Sequence, residues 1–142
     1  MLSVGVVIPS WHYFSNPFKL QPLWELYFAT LIDSRFSESK AKASVFDLRV
    51  SRDTVNGFNL ENVAGHIPEQ DVYFYWIMKS ADSKEIKLVV NQLRKAYPNS
   101  RHIAGATHVD NFPEECAEFY DAIILGPGDE SLIDAINDIK KG

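Results

Sequence analysis

Cysteine is almost absent from this sequence. The single Cys116 cannot close an internal disulfide, nor by itself build a zinc or iron–sulfur site. Basic charge is scarce as well: 14 Lys and Arg stand against 19 Asp and Glu, a formal net charge of −5. No basic cluster exists to neutralise phosphates, which argues against a nucleic-acid surface. No apolar run approaches the roughly 20 residues that span a bilayer. No basic stretch precedes an apolar one at the N-terminus, so no signal peptide is expected, and the expected compartment is cytoplasmic. Neither a Gly-x-Gly-x-x-Gly nor a P-loop pattern occurs. Linkers and internal repeats are missing too, and 142 residues suit one domain spanning positions 1–142. What the chain does have is aromatic side chains, gathered at Trp11–Phe18, Trp24–Phe28 and Tyr73–Trp76. In the first loop Trp11, Tyr13 and Phe14 are too many for solvent unless something covers them.

Taken in order, the apolar pattern alternates between strands and helices. Ser3–Ile8 is an unbroken β-branched run, expected as a strand buried on both faces and ended by Pro9. After the aromatic loop, Pro22 opens a helix whose expected apolar stripe is Leu23, Leu26, Tyr27 and Leu31. A second strand is expected over Val45–Leu48. Asn56-Gly57 signals a turn, and Asn59 is placed to cap a short helix through Ala64. Val72–Met78 is the clearest strand. The helix after it carries Ile86, Val89, Val90 and Leu93, capped by Ser80, Asp82 or Ser83. Arg101–Gly105 and Ala122–Leu125 are the last strands, separated by a short helix over Pro113–Phe119. A final helix carries Leu132, Ile133, Ile136 and Ile139, and Gly142 sits where it would stop. Such alternation predicts an α/β fold. Its most common form is a flavodoxin-like doubly wound sheet of five parallel strands, order 2-1-3-4-5, with helices on both faces.

In that order, ligands bind beyond the carboxyl ends of the strands, where the order reverses. Two glycine loops arrive there: Gly105-Ala106-Thr107-His108 and Gly126-Pro127-Gly128. Each is either a tight turn or a place where backbone approaches a ligand closely. Asp129 and Glu130 then open a helix, where they complement its dipole but would repel a phosphate. His12 lies in the first loop, where an imidazole can ligate a metal or simply pack. A phosphorylation receiver would need an acid at the end of the third strand and an acidic pair after the first. Trp76–Met78 and Pro9-Ser10 stand there instead. A flavodoxin would need glycine in its first loop, and Ser10–Pro17 contains none.

Ile103-Ala104-Gly105-Ala106-Thr107-His108 resembles the "hydrophobic-hydrophobic-Gly-Gly-x-His" block of cobalamin-binding domains, particularly those N-terminal to radical-SAM enzymes. Phe112-Pro113-Glu114-Glu115 is similar to the "x-Pro-Glu-Glu" that follows it there. Asp121 to Glu130 resembles the closing "Asp-hydrophobic-Gly-Glu-Gly-Glu" block. Pro9, Pro22-Leu23 and Asp47 also fit. Ala106 replaces the second glycine of the pair, Pro127 the first glutamate of the block, and Asp129 the second. Of the Asp-x-His-x-x-Gly motif found in the methionine-synthase branch only His12 remains, between Ser10 and Ser15. The radical-SAM Cys-x-x-x-Cys-x-x-Cys motif is absent.

The resemblance implies cobalamin as cofactor, with the corrin over the strand ends against Pro9, Ser10, Trp11, His12 and Tyr13. The nucleotide tail would pass Gly105, Ala106, Gly126 and Gly128, where small size would serve. Thr107, His108 and Pro127 belong to the same loops. Ser80 could hydrogen-bond the tail or a corrin amide, and His12 is the candidate axial cobalt ligand. The implied function is a cobalamin-binding module, accessory to a radical-SAM enzyme of methyltransferase type, with no catalytic residues of its own. Two alternatives stand beside it: a ligand-free Rossmann-like interaction domain, and a flavin-type binder or enzyme on the same scaffold.

Overall fold

The computed structural model describes residues 1–11, 14–53, 57–58 and 60–141. Five strands form the main sheet: β1 (Leu2–Ile8), β2 (Ala41–Asp47), β3 (Val72–Trp76), β4 (Arg101–Gly105) and β5 (Ala122–Ile123). They are parallel throughout and lie in the order β2-β1-β3-β4-β5. This is the flavodoxin-like, doubly wound arrangement that the alternating pattern predicts. The order reverses between β1 and β3, so the switch point lies where Ile8 and Trp76 end their strands. A short antiparallel pair, Arg52–Asp53 with Gly57–Phe58, stands apart from the main sheet. The expected turn at Asn56 and cap at Asn59 lie outside the described residues, as does Gly142.

Helices cover both faces. On one face, α1 (Leu23–Arg35) and α5 (Asp129–Lys141) pack Phe28, Ile32, Leu132 and Ile136 against Val4, Val6, Phe74 and Ile103. On the other, α2 (Ser83–Ala96) sets Ile86, Val89, Val90 and Leu93 against Val7, Tyr73, Tyr75 and Ala104. Two short helices, α3 (Thr107–Asn111) and α4 (Pro113–Phe119), join β4 to β5. The strand β3 is buried along its whole length, as a central parallel strand must be.

On this second face β4 brings His102 between the rings of Tyr73 and Tyr75, stacked at 5.3 and 5.9 Å. The Tyr75 hydroxyl lies 2.9 Å from His102 Nδ1. Burial first, and Arg94 second, lower its pKa to about 4, so the imidazole is neutral in the folded protein.

The helix α1 departs from its expected stripe. Its buried side is Glu25, Phe28, Ala29 and Ile32, whereas Leu23, Leu26 and Tyr27 are 64%, 47% and 42% exposed. Apolar residues occupy both sides of this helix, so periodicity alone does not choose between them. The choice is made by Phe28, which packs edge-on against Phe74 and at a tilt against Trp76, at 5.1 and 4.5 Å. Phe28→Ala should therefore cost about 3–5 kcal/mol of stability, while Leu26→Lys should change it by less than about 0.5 kcal/mol. Urea midpoints at constant m-value measure both, and equal losses would contradict this orientation.

Candidate functional site

The chain has three tryptophans, and all of them line one cleft at the switch point. Trp11 comes from the loop after β1, Trp24 from the first turn of α1, and Trp76 from the end of β3. Leu20, Glu25, Met78 and Lys79 complete most of its wall, around a volume of about 230 Å³. Enclosed small-molecule pockets usually hold roughly 300–1,000 Å³, so a large flat ligand would rest on the rim here rather than sink in. Larger hollows lie elsewhere. One of about 460 Å³, bounded by Leu2, Asp71, Arg101 and Asp138, sits at the opposite edge of the sheet, away from the switch point.

Trp76 joins this cleft to the core. Its ring lies 4.5 Å from Phe28 and 5.9 Å from Trp24, extending a series of tilted aromatic contacts from Phe74 to the surface. It also sits over the two glycine loops. A Cβ placed on Gly105 would meet its Cζ3 at 2.9 Å, and one on Gly128 would meet the same atom at 3.1 Å. These glycines are thus required for packing against the protein's own indole. Gly126 is different: nothing lies within 4 Å of its Cβ position, but its φ of +76° favours glycine. Its N–H donates to Asp110 Oδ1 at 2.9 Å.

Among the described residues, the non-glycine residues with positive φ are Trp11 at 47° and Ala106 at 85°. Both stand at this edge. Ala106 has ψ of −169°, a combination that glycine adopts freely and a Cβ resists. The Gly-Gly pattern that Ala106 interrupts has its physical basis in that backbone.

Charge at the site is organised by burial. Arg49 grips Asp47 at the end of β2 through Nε and Nη2, at 2.8 and 2.6 Å, and donates to the Leu20 carbonyl at 2.9 Å. Its guanidinium lies 5.5 Å from the Trp11 ring and 5.2 Å from the Phe18 ring, so it pins the aromatic loop to the sheet edge. Lys79 stands over Trp11 and Phe14 at 5.8 and 4.9 Å. Asp82 occupies the cap position of α2 without capping it, and instead accepts the Trp11 indole N–H at 3.3 Å. Glu85 accepts the Ser10 N–H at 2.8 Å. The buried Glu25 has its pKa raised from 4.5 to about 7, chiefly by desolvation. Asp82 and Asp47 add repulsion, while its own backbone N–H and Arg49 counteract them.

Of the residues read from the sequence, Ser80 and His108 meet directly, with Ser80 Oγ 2.8 Å from His108 Nδ1. His108 belongs to α3 rather than a loop, is buried beside Phe112, and leaves Nε2 unpartnered. Desolvation lowers its pKa. Thr107, Gly126 and Pro127 are exposed at the same edge; Pro9, Ser10, Trp11, Gly105, Ala106 and Gly128 are buried. His12 and Tyr13, and with His12 the candidate axial ligand, lie outside the described residues. Among the described residues, no group of three or more His, Cys, Asp or Glu could hold a metal ion. No described helix is long and apolar enough to cross a membrane. The sequence reading missed Trp24, Glu25, Trp76, Met78 and Lys79 as wall residues. The signal was present in Trp76, an aromatic closing a strand at the switch point.

Ala106→Gly should stabilise the fold by about 1 kcal/mol, the relief of strain exceeding the added chain entropy of glycine; a lowered denaturation midpoint would contradict the strain. Glu25 gives a pH signature. Between pH 4.5 and about 7 the folded protein keeps a proton that the unfolded chain releases, so stability falls as pH rises through that window. The fall attributable to Glu25 is of the order of 3 kcal/mol. In Glu25→Gln this contribution should vanish, so the variant's advantage over the parent grows from pH 4.5 to 7 and then levels off. A pH-independent difference would show that the carboxyl titrates normally.

No family model and no curated protein matches the chain. Among solved structures, it is similar to a protein of Burkholderia pseudomallei K96243, provisionally described as pilus assembly-related. The TM-score is 0.58 at 12% identity, over 99% of this chain and 90% of that one. At that identity the likeness shows the fold alone.

Proposed function

We propose that the chain is a cobalamin-binding module, accessory to a radical-SAM partner of methyltransferase type and without catalytic residues of its own. The observation that carries this reading is the convergence of Trp11, Trp24 and Trp76 on one cleft at the switch point. Trp24 is exposed there beside the buried rings of Trp11 and Trp76, and such an apolar rim at the carboxyl edge of a doubly wound sheet suits a large planar ligand. Met78 and Leu125 are exposed at that edge and extend the apolar rim. Ser80 and Thr107 offer hydroxyls to peripheral amides. When bound, cobalamin supplies a cobalt centre able to carry a methyl group. The residues of this chain hold and orient the ring.

A second reading is a ligand-free interaction domain. The apolar outer side of α1, with Leu23, Leu26 and Tyr27 exposed, favours it, since such a surface calls for a protein partner. The two readings separate on one experiment. The protein is mixed with hydroxocobalamin and desalted, and the eluate is scanned for corrin absorption, with tryptophan emission recorded alongside. Retention through the column corresponds to a Kd near micromolar or tighter, about −8 kcal/mol. Corrin absorption travelling with the protein, with its emission quenched, is the expected result. A folded protein that elutes colourless, with unchanged emission, overturns the cobalamin reading and leaves the interaction domain.

A further inference from the structure

We propose that this domain holds a corrinoid by its ring alone and admits no nucleotide tail into the sheet, because Trp76 fills the gap a tail would use. The inference rests on the cobalamin reading above. Gly105 and Gly128 are the points where loss of a side chain opens the sheet edge, and both face the same ring atom of Trp76. The indole is 6% exposed, lies against Phe28 and Trp24, and belongs to the same part of the core as Ile124. Its departure would require the whole aromatic series to shift. The base that ends the tail of cobalamin is a fused bicycle of about the size of indole, so the two cannot share one gap.

Charge acts in the same direction. The tail carries a phosphodiester, and the cleft beside Trp76 is lined by Glu25 and Asp82. Asp129 and Glu130 follow directly at the start of α5. Among the described residues of the cleft wall the cation is Lys79, which lies over the Trp11 and Phe14 rings. A buried phosphodiester would meet the Asp82 carboxylate there, while Glu25 keeps its proton up to about pH 7 and Glu130 is already paired with Arg35. The tail therefore stays in solvent, and the corrin ring on the rim provides the binding.

The test compares hydroxocobalamin with aquohydroxocobinamide, which has the same ring and lacks the nucleotide. Each is titrated into the unmodified protein while tryptophan quenching is followed. The two Kd values should agree within about threefold, and a larger preference for cobalamin overturns the inference. Opening the gap with Trp76→Ala should create a preference for cobalamin of about tenfold. Trp76→Phe, which keeps an aromatic ring in the series, should give a smaller preference of the same sign. Equal binding of both ligands by a folded Trp76→Ala protein would show that Trp76 is not what excludes the tail. If neither corrinoid binds the unmodified protein, the cobalamin reading itself falls and this inference with it. Binding with a strong cobalamin preference removes only the inference.

Discussion

The packing of Trp76 against two backbones, at Gly105 and Gly128, is the contact on which this end of the molecule depends. Trp76 closes the central strand β3 and sits opposite Gly105 in the sheet register. Its ring therefore covers the neighbouring strand and reaches the loop that opens α5. On its other side it carries Phe28 and Trp24. One side chain thus connects the sheet, both helices of its face and the mouth of the cleft. Close-packed interiors transmit such a choice widely, because no neighbour has slack to absorb a smaller residue.

The edge around this contact is where the fold departs from its local preferences. Trp11 and Ala106 hold backbone conformations suited to glycine, and Glu25 is buried in a site that disfavours its charge. Each costs of the order of 1–3 kcal/mol on general grounds. Deeper in the sheet, β3 is buried along its whole length under Ile86, Val89, Val90 and Leu93 of α2, with His102 as a buried polar exception. Such concentration of strain at the switch point fits a binding edge held by a well-packed scaffold, rather than a featureless end of the sheet.

Much of the scaffold was legible because its signals are local. The β-branched run of β1 and the aromatic run of β3 are short, unbroken and rich in strand-forming residues, and the stripe of α2 repeats at the helical period. Orientation of α1 was not legible, since Leu23, Leu26 and Tyr27 repeat as cleanly as Phe28 and Ile32. Only the long-range partners Phe74 and Trp76 decide between them. The glycine loops were found from sequence as places without bulk, but what fills that room comes from β3, some 30 residues or more away in the chain. Sequence spacing carries no direct trace of such a contact. Helix α3 escaped notice because its five residues are too short for a periodic pattern.

One seam gives the architecture a further property. The Tyr27 hydroxyl bonds to Asp129, and Arg35 forms a paired bond to Glu130 at 2.7 and 2.9 Å, tying α1 to the start of α5. Both acids stand in the first turn of α5, where the sequence marks them as hostile to phosphate. The Arg35–Glu130 pair is exposed, and exposed pairs contribute little and weaken as ionic strength rises. The indole beneath is apolar and insensitive to screening by ions. Raising salt should therefore slacken the outer stitching between the two helices while leaving the inner closure intact, giving the mouth of the cleft two fastenings that answer to different solvents.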